Sequence, residues 1–410
     1  MIPQMNFCFF TEIYYKGGLD TFLITLFNTW SNPEDKITLV CNATHPGIET
    51  IEKKTRRSFK IIRYHSLFSS KLAQGQSNVK FFRYLPIRIL FVFLFRILQY
   101  PILFPYYVVT LALYFRNSDF DRLMVVNGGY PASLSCRCAL IAWRFSGKRP
   151  LAVMNFHNSV ICSPWYYSFM ENVIDKLVVQ SAFKIISVSS NCLSSIYNRR
   201  AFVGCNKLTY IYNGIEDPVD SSCTIELTSK ARSTRYCLML GTYELRKGHS
   251  FLLRAYKSVA KTFPDVKLHI YGYGKPHEID RVANEVKRLG LVDNVMLGEF
   301  QTNTSELLSN ASVLVVPSQD YESFGLTIIE AMAFGVPVVS TNVGGIPEIL
   351  SETMAGYVCS HDNELEFADA IKRILGNLFL ASKLAENGRK TFESKFMAST
   401  MTKNYELILR

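Results

Sequence analysis

The sequence predicts an α/β protein built from two doubly wound domains that face each other across a cleft. Three observations carry that expectation. Short β-type apolar runs alternate with helical patterns along the chain, the arrangement of parallel sheets covered by helices. The alternation is interrupted by a polar stretch from Asp217 to Thr234 and then restarts on the same plan. With 410 residues, the chain is long for one core and comfortable for two.

The first domain, residues 1–216, opens with a strand at Asn6–Phe10 and the turn Tyr14-Tyr15-Lys16-Gly17-Gly18. A helix follows over about Leu19–Trp30. Further strands are expected at Ile37–Cys41, Ile61–Tyr64, Leu123–Val126, Leu151–Asn155, Lys184–Val188 and Leu208–Tyr212. The polar stretch 217–234 reads as a hinge. The second domain, 235–390, restarts at Tyr236–Leu240. It continues through Lys267–Tyr271, Val295–Leu297, Val313–Val316, Val336–Ser340 and Tyr357–Val358, with helices between. Ligands of such sheets bind at the carboxyl ends of the strands, so the site is expected in the cleft.

Composition narrows the class. The ten cysteines are scattered, mostly inside apolar segments, and no CxxC occurs, which fits reduced, buried thiols better than disulfides or zinc. The N-terminal MIPQMNFCFFTEIYY lacks a basic n-region and a small-residue cleavage site, so it reads as a first strand instead of a signal peptide.

The net charge of +11 is local. Twelve basic residues and no acidic one lie between Lys53 and Ser118; taking those twelve from the chain's 45 leaves 33 basic against 34 acidic residues. The same segment, 53–116, holds the most apolar run, Phe81–Phe115. Its longest uncharged part, Ile97–Phe115, approaches the roughly 20 residues that span a bilayer, but Pro101 and Pro105 interrupt it. A single span would also divide one sheet across a membrane. Tyr106–Phe115 is therefore read as a core helix, and Lys80–Gln99 as a basic, aromatic element lying on an anionic membrane surface. Nucleic acid, the competing partner for a basic patch, is disfavoured because Ile87–Leu98 is too apolar for a phosphate-reading surface.

Between residues 313 and 349 the chain reads VLVVPSQDYESFGLTIIEAMAFGVPVVSTNVGGIPEI. A strand ends at Pro317, and a polar loop carries Glu322. Phe324, Gly325 and Leu326 open a helix, with Glu330 about one turn inside it. The helix start offers unpaired N–H groups and a positive dipole end, which suits phosphate. Two carboxylates flanking an anion site fit a ligand with hydroxyls at both ends and a diphosphate between them. A nucleotide sugar has that layout. After the first strand of this domain, Gly241-Thr242-Tyr243-Glu244-Leu245-Arg246-Lys247-Gly248 offers a close backbone approach at Gly241 and a point charge for phosphate at Lys247. His157, in MNFHNS, stands at a strand end of the first domain. Asp119-Phe120-Asp121 precedes a strand and reads as a solvated loop instead of a metal site. Gly272-Tyr273-Gly274 lacks the third glycine of a dinucleotide fingerprint, with His277 in its place.

Glu322 and Glu330, separated by seven residues and followed by GG-x-x-E at 344–348, resemble the donor signature of family 4-type retaining glycosyltransferases of the bacterial surface polysaccharide type. The resemblance extends along the whole chain and implies the GT-B architecture. It also implies that residues 391–410 cross back to the first domain as a helix, and that the first domain binds the acceptor. The donor would be a nucleoside diphosphate sugar, with no obligatory cofactor and no metal. Glu330 would hold the ribose hydroxyls and Glu322 a sugar hydroxyl. The N–H groups of Phe324, Gly325 and Leu326, with Lys247, would stabilise the departing diphosphate, and His157 would orient the sugar. Gly17-Gly18 would close over the diphosphate or present the acceptor.

The resembling family has Arg directly after the first glycine, where this chain has Thr242; Arg246 is the candidate to compensate. The expected activity is transfer to a lipid-linked or other saccharide acceptor, by an enzyme held peripherally on the cytoplasmic face of the cell membrane. An epimerase on the same architecture and a silent sugar-nucleotide-binding protein are the alternatives.

Overall fold

The computed structural model describes residues 3–14, 17–65, 99–131, 133–162, 165, 168–219, 235–301, 303–351 and 354–410. The chain divides into two compact units, Met1–Ile211 with Met401–Arg410, and Tyr212–Thr400.

The first unit holds a seven-stranded sheet: β1 (Asn6–Thr11), β2 (Lys36–Asn42), β3 (Lys60–Tyr64), β4 (Arg122–Asn127), β5 (Ala152–Phe156), β6 (Ala182–Ser187) and β7 (Leu208–Tyr210). They lie in the order β3-β2-β1-β4-β5-β6-β7, and every pair is parallel. Strands covered on both faces need unbroken apolar sequence, and Phe7, Cys8, Phe9 and Phe10 of β1 are all buried. The order reverses between β1 and β4, which makes their carboxyl ends the switch point where doubly wound sheets bind ligands.

One face of this sheet packs Phe9, Met124 and Val153 against Leu23 and Phe27 of the helix Gly18–Asn28. The helix Ala398–Leu409 adds Met401, Tyr405 and Leu409 to that same core. It is tied there by polar contacts as well. Asn155 Nδ2 donates to Tyr405 Oη at 2.8 Å, and Ser31 donates from both its N and its Oγ to Glu406 at 2.7 Å. The opposite face carries the helix Leu134–Phe145, which packs on Ser168–Ser181. A buried ionic knot joins these two helices to Arg199. Arg137 Nη1 donates to Glu171 at 2.9 Å, and Arg199 bonds both Glu171 and Asp175.

The second unit holds six parallel strands: β8 (Tyr236–Leu240), β9 (Lys267–Tyr271), β10 (Val295–Gly298), β11 (Val313–Val316), β12 (Val338–Thr341) and β13 (Gly356–Cys359). Their order is β10-β9-β8-β11-β12-β13, so the switch point here lies between β8 and β11. Its core gathers Leu252 and Tyr256 from the helix His249–Thr262 and Ile371 and Ile374 from Glu364–Gly376 around Val313 and Val315. Asp217 is held within this unit by Arg389, whose Nη1 donates to Asp217 at 2.8 Å and to Ala333 O at 2.7 Å. Most of the expected hinge, residues 220–234, lies outside the described residues.

Two expectations need correction. The helix read as Tyr106–Phe115 runs from Phe104 to Arg116, and it is not a core helix on all sides. Tyr107 and Phe115 are buried, whereas Tyr106, Val109 and Leu113 are 47, 57 and 54% exposed. Apolar composition alone does not reveal that only one side is packed. The helix expected to reach Trp30 stops at Asn28, where Thr29 turns its hydroxyl back to Thr25 O at 2.7 Å.

The element read as membrane-facing, Lys80–Gln99, lies outside the described residues up to position 98. No helix among the described residues is long and apolar enough to cross a membrane. Asp119 and Asp121 cap the start of β1, with Asp121 accepting from Asn6 N at 2.8 Å.

Candidate functional site

The switch point of the second sheet brings together residues 75 apart in sequence. β8 runs into the loop carrying Lys247, and the neighbouring β11 runs into the loop carrying Glu322. The Lys247 ammonium donates to Glu322 Oε2 at 2.5 Å, with both side chains mostly shielded from solvent.

The Glu322 loop is held from behind by the turn after β12. Gly345 N donates to Glu322 O at 2.8 Å, and a Cβ on Gly344 would lie 2.0 Å from that same oxygen. With φ at +62°, position 344 also demands a left-handed backbone, so glycine is required there on two counts. Phe324 is buried, and its ring lies against Tyr212 and Phe396 with centroids 5.9 and 6.0 Å away. Gly325, at φ +103°, is the N-cap of the helix Leu326–Ala333. The first N–H groups of that helix are therefore delivered beside Glu322 at the strand end.

Glu330 lies in this helix, half-buried, and its carboxylate has no hydrogen bond or ion pair among the described residues. Burial pushes its pKa up from 4.5 to about 7. An acid kept out of water with nothing to pair it is costly, and ligand hydroxyls would relieve that cost. Glu348, which closes the GG-x-x-E run, accepts instead from Tyr212 Oη at 3.3 Å.

The loop after β8 is packed by close backbone approach. A Cβ on Gly272 would sit 1.7 Å from Gly241 O, so the Gly272-Tyr273-Gly274 turn makes room for Gly241. Arg246 is at the rim of the site, but its guanidinium is engaged: Nε donates to Glu244 at 2.6 Å, and the group lies 4.9 Å from the Tyr321 ring centroid. The Thr242 hydroxyl is buried without a partner, as is the Ser318 hydroxyl just beyond β11. Ser318 carried no signal in sequence, because a serine after a strand is common. Its unpaired buried oxygen appears only once the chain is folded. Among the described residues, no group of three or more His, Cys, Asp or Glu side chains is arranged to hold a metal.

The remaining candidates belong to the first unit. His157 follows β5; its ring meets Phe22 edge-on at 4.5 Å, and its Nε2 is buried without a partner. Burial lowers its pKa to about 3, so it is a neutral imidazole at physiological pH. Gly18 begins the helix Gly18–Asn28, and a Cβ on Gly17 would meet nothing within 4 Å.

Comparison with known proteins gives these features a family setting. Residues 227–391 match the family model described as glycosyl transferases group 1. The chain is 26% identical over 276 residues to N-acetyl-alpha-D-glucosaminyl L-malate synthase of Bacillus anthracis, covering 66% of this chain and 70% of that protein. It is 31% identical over 205 residues to phosphatidyl-myo-inositol mannosyltransferase of Mycobacterium leprae, covering 48% of this chain and 53% of that one. A glycosyltransferase structure from Rickettsia africae superposes with a TM-score of 0.74 at 17% identity, covering 99% of this chain and 98% of that one. Anabaena Alr3699/HepE, solved in complex with UDP and glucose, superposes with a TM-score of 0.69 at 18% identity over 99% of each chain.

The fold is that of the GT-B glycosyltransferases. The chain is a glycosyltransferase, and residues 227–391 are where it is similar to the group 1 family model.

Proposed function

We propose that this enzyme transfers a sugar, with retention of configuration, from a nucleoside diphosphate sugar to a saccharide acceptor that is lipid-linked, in bacterial surface polysaccharide assembly. Two observations carry the donor half: Lys247 paired with Glu322 at the second switch point, and Glu330 unpaired and desolvated within the helix Leu326–Ala333 that follows the Glu322 loop.

On this reading Glu330 receives the ribose hydroxyls and Glu322 a hydroxyl of the transferred sugar. Lys247 and the N–H groups at Phe324–Leu326 stabilise charge on the departing diphosphate, an effect that commonly dominates such catalysis. The bond from the anomeric carbon to the phosphate oxygen breaks as the acceptor oxygen attacks from the same face. The leaving phosphate takes the acceptor proton. His157, neutral and unpaired at Nε2, orients the sugar from the first unit.

The donor class is supported by the UDP and glucose bound in the Anabaena structure, and a lipid acceptor by the name of the mycobacterial relative. Seating on the inner face of an anionic membrane is supported by the acid-free basic segment 53–116 and by the apolar outer side of the helix Phe104–Arg116.

The test is turnover with UDP-, GDP- and ADP-sugars in the presence of lipid-linked and soluble saccharides, with the anomeric configuration of the product read by NMR. A donor at 100 times its dissociation constant should also stabilise the protein by about 2.7 kcal/mol. Release of epimerised free sugar, or binding without turnover, would overturn the proposal. Inverted product would overturn its stereochemistry.

A further inference from the structure

Six unpaired buried polar atoms of the first unit stand at or just beyond the carboxyl ends of its strands. Thr11 Oγ1, Asn155 Oδ1, His157 Nε2, Ser187 Oγ and both side-chain atoms of Asn127 are buried without a partner. The strand register puts most of them in adjoining rows. Thr11, Val126 and Asn155 form one row across β1, β4 and β5. Asn127, Phe156 and Ser187 form the next, across β4, β5 and β6. Glu12, one residue past Thr11, extends that second row on the β1 side, and Asn42 and Tyr64 complete it on β2 and β3. Side chains in one parallel row share a face of the sheet. From Tyr64 through Asn42 and Glu12 to Asn127 the second row is thus a polar strip that crosses the switch point between β1 and β4, and Phe156 separates it from Ser187.

Glu12 is the fixed centre of this strip. Its carboxylate accepts from Tyr14 Oη at 2.5 Å, Ser133 Oγ at 2.6 Å and Tyr64 Oη at 3.4 Å, and from Ser135 as well. These donors come from the loop after β1, the end of β3 and the start of the helix Leu134–Phe145. Asn127 stands next to it in the row, 1% exposed, with a whole carboxamide unspent. Above it the chain continues as Gly128-Gly129, and a Cβ on Gly128 would meet nothing within 4 Å. A buried amide costs stability unless something completes its hydrogen bonds.

The chemistry of the strip selects its ligand. A carboxamide offers two donors and one acceptor oxygen, which matches hydroxyl groups. No Lys or Arg stands in the row, and Arg137 on the helix above is paired with Glu171 at 2.9 Å. The Glu12 carboxylate would repel an anion. We propose that the carboxyl edge around Asn127 reads the hydroxyls of a neutral saccharide, the acceptor, and that Glu12 is a positioning residue holding the walls of this subsite. The inference rests on the transferase reading above and adds to it that the portion of the acceptor seated here carries no charge.

The test uses the full chain saturated with UDP, so that the donor site is filled. Methyl α-glucopyranoside and methyl N-acetyl-α-glucosaminide serve as neutral probes, with malate and inorganic phosphate as anionic ones. Asn127→Leu, of similar size and without polar atoms, should weaken neutral-probe binding about tenfold, the loss of one to two hydrogen bonds. It should leave UDP affinity unchanged and the melting temperature no lower than wild type. Glu12→Gln should weaken the same probes at unchanged UDP affinity, and Glu12→Asp should restore part of that loss.

A lowered melting temperature with unchanged probe affinity in Asn127→Leu would make Asn127 a structural residue and overturn the inference. So would binding of the anions in preference to the glycosides, or no glycoside binding by wild type. Failure of wild type to bind UDP or any nucleotide sugar would instead overturn the transferase reading, and the melting temperature of Asn127→Leu would still report whether that amide is paired.

Discussion

Glu330 has a pKa raised from 4.5 to about 7, and that shift has two measurable consequences. A carboxyl whose folded value lies above its unfolded one favours the folded state at low pH. That advantage is complete below about 4.5 and is lost as pH rises through about 7, a swing of up to about 3 kcal/mol. Glu330→Gln should therefore raise the melting temperature of the unliganded protein at pH 8 and leave it little changed at pH 4; equal shifts at both values would refute the linkage. Hydrogen bonds to a charged group contribute about 1.5–3 kcal/mol, so Glu330→Ala should weaken donor binding roughly tenfold to a hundredfold. Calorimetry with the nucleotide sugar checks this. Lys247→Ala should act differently, because its charge stands where the diphosphate departs. A loss of about 10²–10³ in kcat at saturating donor is expected, and full kcat would reassign the lysine to tethering Glu322. The sequence placed both residues on loops after strands, where they are found, but did not show that they pair. The unpaired state of Glu330 was not legible, because it depends on which neighbours surround the helix.

The elements around the site make their own demands. Gly344→Ala forces a left-handed alanine and a Cβ into Glu322 O, so the loop after β11 must move. Both stability and donor affinity should fall, and a variant with wild-type donor affinity would mean that the Glu322 loop is not held by this turn. The knot of Arg137, Glu171, Arg199 and Asp175 joins two helices and the turn at Arg199. Arg199→Leu leaves the buried Asp175 carboxylate without its cation and Glu171 with Arg137 alone, and should cost about 3–5 kcal/mol in denaturant unfolding. The helix Phe104–Arg116, which ends the basic segment, presents Tyr106, Val109 and Leu113 outward. On the membrane reading, Val109→Ser with Leu113→Ser should reduce the salt-resistant part of binding to anionic vesicles. Arg83→Gln, Arg88→Gln and Arg96→Gln should reduce the salt-sensitive part, since screening limits exposed charges to about 8 Å at physiological ionic strength. Cosedimentation separates the two, and a protein that stays in solution at low salt would remove the membrane from the proposal. The strands were legible as apolar runs because parallel sheets bury both faces. Which side of an apolar helix is covered depends on distant segments, and periodicity does not carry that information.

At the scale of the molecule, the parallel α/β plan was readable from alternation alone, and both switch points follow from strand order. The polar strip at Tyr64, Asn42, Glu12 and Asn127 was not readable, because its members meet only through register across strands far apart in sequence. The return of residues 401–410 to the first unit is a different kind of long-range tie: Ser31 bonds Glu406 across 375 positions. During synthesis those residues leave the ribosome after the entire second unit. At about 5–20 residues per second, the first unit waits roughly 10–40 s with Leu23, Phe27 and Met124 lacking Tyr405 and Leu409 beside them. Its assembly is thus coupled to the synthesis of residues 401–410. A nascent chain that stalls or is cut before Met401 carries a first unit with an open apolar flank, a form suited to chaperone capture and proteolytic removal before it could occupy donor or acceptor unproductively.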